Sequence, residues 1–492
     1  MSSELFPGKH LFVDDYRIED MRAARRVLKQ AQKHPDNPVL RPEQDWEEQG
    51  LHLGKLLYDR GNGTLRAWYT SSASTTIGTR ILVRDNPPRK VRESHICYAE
   101  SHDGIHWERP ATGIAEQERY PDNNIVIQSL RSPGRAAMSD LIDDPLAADP
   151  QQRFKLMYLD QAEDDQIGGG LAPDQKLRLH ACSPDGIHWN RYPWAEEHLG
   201  RLFGVIAYLD EVPRGALDPD ARYILYGQRG SPWKTRQIGR RDSNDFLTWS
   251  ENRPVLESGL DDLAGQEFYC LEGAVVNSTY AGLHLGMLGA YYTDLSRKFD
   301  PTRNDGFTET QLAFSRDSLR WQRWPEPFIP RGPADAFDWG GAYCGYPVFK
   351  DEAIYFLYTG ESGRHGKPSL PAIGLATLRL DGFVAVRAEG FMEGTLTTRP
   401  HHWKARALHL NVDAGHVEGK LWVQLQDETG RALDGFGRED CDPLHADTLD
   451  QPLTWKGRGD LGLLHDRMIA LKFFFTPGVE LYSYTLKPLE DE

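Results

Sequence analysis

The sequence predicts an all-β protein: a five-bladed β-propeller followed by a C-terminal antiparallel β-sandwich. Three observations carry this. A phrase of the form Ser-x-Asp-x-(Ile/Leu)-x-Trp occurs four times, at residues 101–107, 183–189, 243–249 and 315–321. Short apolar runs precede every copy, and a unit of this kind cannot bury its apolar face alone, so its recurrence points to radially stacked sheets. After Leu380 the texture changes to alternating strands at close spacing with Gly-rich and Asp-rich turns, the pattern of a sandwich.

Within the phrase, Ser and Asp stand where a strand reverses, and their side chains can bond nearby backbone N–H groups. The apolar residue and the Trp, two apart, share a face of the returning strand. Each copy therefore belongs at the hairpin between the third and fourth strands of a blade. Taken in order, LGKLLYD, LRAWYTS and ICYAE build the first blade, and SDLID, RFKLMYLD and LRLHAC the second. FGVIAYLD, RYILYGQ and RQIGR build the third; GAVV, LHLGMLGAYY and TQLAF the fourth; AYCGYPVF, AIYFLYTG and AIGLATLRL the fifth, which lacks the phrase. The early run HLFVDDYRIE is a strand without a blade. It either closes the ring by joining the fifth blade, removing an exposed edge, or begins the first blade and brings Asp14 or Asp15 to the funnel. The expected division is a propeller over 1–380 and a sandwich over 381–492.

A formal charge of −16 opposes a nucleic-acid or anionic-membrane partner, because both would be repelled. No run approaches the ~18 apolar residues of a membrane span. No basic segment followed by an apolar stretch opens the chain, so a cytoplasmic protein is expected. The five cysteines, Cys97, Cys182, Cys270, Cys344 and Cys441, have no paired spacing and read as reduced thiols. With 13 Trp and 20 Tyr the chain is rich in aromatics for a polar sequence, suited either to facing sugars or to packing its sheets. No metal site is expected around His95 or His401-His402, and no cofactor, because P-loop, dinucleotide and serine-hydrolase motifs are all missing.

The repeated phrase, the five-blade count, the trailing sandwich and the stretches LFVDDYRIE, HPDNPVLRPEQDWE, YTGESGRHG, GTLTTRP and EDCDP resemble glycoside hydrolase family 32-like proteins, whose relatives fall in families 43, 68 and 130. The resemblance implies glycosidase activity on a furanosidic or terminal bond of an oligosaccharide or glycoside, through carboxyls around the central funnel. Such cleavage needs one protonated and one ionised carboxyl. Asp15, or else Asp14, resembles the nucleophile near the chain start, although the flanking Asn, Pro and Gly are replaced. Asp144, in Ile142-Asp143-Asp144-Pro145, resembles the family's Arg-Asp-Pro element with Asp143 in place of the Arg. Glu272, in Tyr269-Cys270-Leu271-Glu272-Gly273, is similar to a rearranged Glu-Cys-Pro element that carries the acid, and Glu267 competes for that role. Asp338, Trp339, Tyr343, Arg364 and His365 surround Gly-rich turns of the fifth blade and suit a substrate-binding wall. Two other functions fit the same residues: a non-catalytic glycan-binding propeller, and a glycoside phosphorylase whose Arg364 and His365 hold phosphate.

Overall fold

Five four-stranded sheets stand around one axis, as the phrase predicts. The computed structural model describes residues 8–77, 89–115, 119–131, 133–161, 177–192, 204–208, 222–230, 235–275, 280–293 and 305–488. The innermost strands are Leu51–Asp59, Ala137–Asp143, Gly204–Tyr208, Gln266–Val275 and Gly341–Lys350. Each contacts the next, and the last contacts the first, so the ring is closed. Every blade runs antiparallel outward; the first, for example, continues through Thr64–Ile77 and Arg89–Ser101 to Ile125–Ile127. Cys97, Cys182, Cys270 and Cys441 are buried free thiols, while the Cys344 side chain lies outside the described residues.

The phrase is a staple between blades. Ser101 Oγ accepts the Gly104 N–H at 2.8 Å, and Asp103 Oδ1 accepts the N–H groups of Ile105 and His106, both at 2.8 Å. The Trp107 indole N–H closes the turn on the Gly104 carbonyl at 2.9 Å. The fourth position is left-handed in all copies, with φ of +79°, +80°, +69° and +58° at Gly104, Gly186, Phe246 and Ser318. That position also docks on the preceding blade: Trp68 donates to the Gly186 carbonyl at 2.7 Å and the Tyr226 hydroxyl to that of Ser318 at 2.8 Å. The four turns stitch one face of the ring, opposite the face where the inner strands begin.

The early run takes neither of its expected places. Gly8–Leu11 pairs with Glu480–Pro488, Ile18–Arg22 with Gly394–Thr398, and Ala24–Leu28 with Val384–Ala388, so residues 8–28 add three strands to the sandwich. The reason lies in its two apolar sides. Phe12 enters the sandwich core with Leu396, Trp403 and Phe473, while Leu11 and Val13 pack against Leu283, Phe314 and Phe356 of the ring. Closure falls instead to Gln32–Lys33, which pairs with Ala376 and Thr377 on the outer edge of the fifth blade. Asp381 pins the junction: its buried carboxylate receives Lys9 Nζ at 2.8 Å, the Tyr280 hydroxyl at 3.1 Å and Ser483 Oγ at 3.4 Å.

Two outcomes follow from this packing. A fragment ending at residue 380 strands three N-terminal β-strands and exposes the Phe12 side of the junction, so it is expected to aggregate or to melt well below the full chain; scanning fluorimetry of both decides. Asp185→Ala, which removes the acceptor of the Ile187 and His188 N–H groups, is expected to lower the unfolding free energy by about 1–2 kcal/mol in urea at pH 7. Burial alone would raise the Asp185 carboxyl, but the His188 side chain and the backbone N–H bonds outweigh it and hold it at about 2. This contribution is present above the ordinary Asp range near pH 4 and lost as pH falls through about 2. The two proteins should therefore converge in acid.

Candidate active site

Side chains of an inner strand stand perpendicular to its blade and fill the seams on either side. A bulge inserts a residue, bends the strand and re-aims its neighbours. Among the described residues four of the five inner strands carry one. The register shifts at Gly54, at Ser139, at Tyr269 and again after Glu272, and between Cys344 and Pro347. These breaks bring Lys55, Asp140, Glu272 and Tyr346, from blades one, two, four and five, together at mid-depth.

Asp140 has no exposed surface. Its Oδ1 accepts the Leu141 N–H at 2.7 Å and faces Lys55 Nζ at 3.4 Å, and the Tyr346 hydroxyl bonds the same carboxylate. Lys55 Nζ lies 3.5 Å from the centroid of the Tyr346 ring. Burial lowers the Lys55 ammonium and the Asp140 charge opposes that shift. Glu272 sits over this pair and keeps part of its surface accessible. Burial, reinforced by the charge of Asp140 and opposed by a Cys270 hydrogen bond and by Lys55, pushes its carboxyl up to about 8. The floor of the funnel thus holds a carboxylic acid that stays protonated at neutral pH.

Above the floor, aromatic rings line blades four and five. Tyr269 lies 5.9 Å from Tyr343 and 5.2 Å from His365, whose ring is also 5.6 Å from Tyr291. Arg236 reaches over Tyr291 and pairs with Glu267 at 2.8 Å. Glu361, half-buried at the end of the second strand of blade five, is raised by burial to about 7, with Arg92 opposing. His52 is lowered to about 4 by burial and by the positive charges of Arg92, His365 and Arg135, so it is neutral at physiological pH.

Of the residues expected from sequence, Glu272, Tyr343 and His365 meet in this funnel. Asp14 and Asp15 do not. They lie between the first two sandwich strands, Asp14 gripped by Arg316 at 2.7 and 2.9 Å and Asp15 paired with Arg26. Asp144 is at the stapled end of the ring, buried beneath Lys155 at 3.0 Å, Arg222 at 2.9 Å and the Tyr223 hydroxyl at 2.7 Å, where it joins blades two and three. Asp338 is a buried post under the rim, paired with Lys33 and accepting the Tyr358 hydroxyl at 2.9 Å. Trp339 packs edge-on against Phe307, and Arg364 is paired with Asp305 at 3.0 Å. Glu267, the competing acid, is spent on Arg236. Among the described residues no group of three or more His, Cys, Asp or Glu could hold a metal ion.

Asp140, Lys55, Tyr346 and the titration of Glu361 escaped the sequence reading. A signal existed for two of them: Asp140 and Lys55 are charges inside the first strands SDLID and LGKLLYD, whose other charge, Asp143 or Asp59, stands at the strand end, whereas Asp144 carries the Asp-Pro likeness.

No family model matches the sequence, and no curated protein does. Solved structures are similar at low identity. One belongs to work on the GH130 family of mannoside phosphorylases, containing glycoside hydrolases that target β-1,2 mannosidic linkages in Candida mannan; it is 16% identical, over 75% of this chain and 96% of that one, at a TM-score of 0.42. The β-1,2-mannobiose phosphorylase of Listeria innocua, bound to β-1,2-mannobiose, is 10% identical over 72% and 97% of the chains, at 0.45. An N-acetylgalactosamine deacetylase of F. plautii, bound to blood group B trisaccharide, is 15% identical over 74% and 97%, at 0.42. At these TM-scores the likenesses assign no residue a role.

Proposed function

We propose that the protein cleaves a glycosidic bond of an oligosaccharide or glycoside lodged in the funnel, with Glu272 as general acid. The observation that carries this reading is the carboxyl of Glu272, held protonated to about pH 8 at the floor of an aromatic-lined funnel by burial and by the fixed charge beneath it. Glu272 gives its proton to the leaving glycosidic oxygen as the bond from the anomeric carbon breaks. Glu361, ionised above about 7, takes a proton from the incoming water. Tyr269 and Tyr343 offer faces for the sugar ring. Asp140 is too deeply buried to touch substrate and acts through Glu272 as a positioning residue, with Lys55 and Tyr346 holding its carboxyl in place.

The test is a panel of aryl glycosides and oligosaccharides, followed by variants on whichever substrate turns over. Glu272→Gln is expected to lower kcat by about 10²–10⁴-fold with unchanged melting; undiminished turnover in that variant would sink the assignment. The pH profile of kcat/KM should be a narrow bell, rising as Glu361 ionises near 7 and falling as Glu272 ionises near 8. Asp140→Asn removes the negative neighbour that raises Glu272, so its alkaline limb should move to lower pH, a shift that a purely structural role for Asp140 would not produce.

A further inference from the structure

Where blades one and two meet at the funnel mouth, two arginines lie side by side. Ser72 and Ser94 face each other across the first blade, hydroxyl to hydroxyl at 3.4 Å. Arg92 is two residues from Ser94, hence on the same face of its strand, and its Nη2 donates to Ser72 Oγ at 3.0 Å. The segment 134–138 runs along that face. The Ser94 N–H donates to the Gly134 carbonyl at 3.1 Å, the Ala136 N–H to the Ser94 carbonyl at 3.0 Å, and the Met138 N–H to Thr70 Oγ1 at 3.0 Å. Arg135 is therefore bridged to Ser94 and neighbours Arg92.

The pair lacks a close counter-charge: the Glu361 carboxyl acts on Arg92 electrostatically but forms no ion pair with it. Among the described residues neither guanidinium has an ion-pair partner, and Arg135 Nε is buried without a hydrogen-bond acceptor. Other cations of the mouth are matched: Arg236 with Glu267, Arg364 and Lys367 with Asp305. Burial and mutual repulsion lower the Arg135 guanidinium, and burial lowers that of Arg92. A chain with sixteen surplus negative charges thus keeps two guanidiniums together, Arg135 partly buried and Arg92 more exposed, neither in an ion pair among the described residues, an arrangement that costs stability until an anion enters. Guanidinium forks fit planar or tetrahedral oxyanions, and the field of an otherwise acidic protein focuses there.

We propose that Arg92 and Arg135 form a subsite for an oxyanion carried by the glycan itself, a uronate carboxylate or a sugar sulfate. The inference rests on the glycoside reading of the funnel. Position favours an anion attached to sugar over a free one: the pair acts on His52, three residues and roughly 10 Å along the strand from Lys55, about the span of two sugar units from the floor. The floor's own cation, Lys55, is committed to Asp140.

Calorimetric titration of the full chain, in the Glu272→Gln background so that nothing turns over, tests this with digalacturonate, diglucuronate and a sulfated chondroitin disaccharide, with their uncharged counterparts, and with inorganic phosphate. At least one acidic sugar is expected to bind roughly tenfold tighter than its neutral counterpart. Arg135→Gln should abolish the preference, and Arg135→Lys, which keeps the charge but not the fork, should leave a part of it. The proposal is overturned if no acidic sugar is preferred, or if the preference survives Arg135→Gln. Phosphate binding tighter than every acidic sugar, and doing so through Arg135, would also overturn it by assigning the pair to a free anion. Because binding is read without turnover, failure here and failure of cleavage are separate results.

Discussion

Five strands converge on one axis, and the space left between them is smaller than their side chains. A Cβ on Gly273, whose φ is +57°, would sit 2.5 Å from the Gly345 carbonyl oxygen, and one on Gly54 would meet the Met138 side chain. Close approach of this kind forces the pleat to break. Each break then turns a polar side chain that would otherwise be trapped in a seam toward the centre, so crowding at the axis and assembly of the polar cluster are one event. The staples on the opposite face, and the two-residue strand that shuts the fifth blade, hold the ring at the diameter that makes this crowding unavoidable.

The charges so gathered do little for stability. A buried ion pair such as Lys55–Asp140 loses hydration on both sides and returns most of it only through close geometry and additional hydrogen bonds. What it does achieve is asymmetry. A negative charge locked beneath Glu272 makes that carboxyl a weaker acid than Glu361, which faces the positive wall of blade one. Two identical functional groups within one funnel thereby acquire different protonation states over a common range of pH.

The blades were legible because the Ser-Asp turn is a local device: its hydrogen bonds span three residues and its Trp closes on its own loop. The sandwich was legible from strand alternation. The place of HLFVDDYRIE was not, since a run apolar on both sides states that it is buried twice without saying between which layers. Gln32–Lys33 has no apolar pattern, so nothing in it announced ring closure. At the site, Glu272 was visible as an acid directly before the expected first strand GAVV. Asp140 and Lys55 were visible only as oddities, because whether a charge in a strand faces a seam or the axis depends on bulges that have no sequence code at this level. Asp14, Asp15 and Asp144 were acids in the right kind of turn whose partners lie elsewhere, Arg316 and Arg222 far along the chain and Arg26 on the next sandwich strand but one.

The chain's path through the sandwich also orders events in time. Residues 8–28 complete sheets whose other strands lie between residues 384 and 488, and residues 32–33 await a partner at 376–377. During synthesis residues 8–33 thus leave the ribosome long before the strands they pair with, and four blades must wait with an open edge and an apolar flank. High contact order of this sort slows folding and prolongs exposure to aggregation. The stability of the ring is therefore reached only after residues 376–488 have been made.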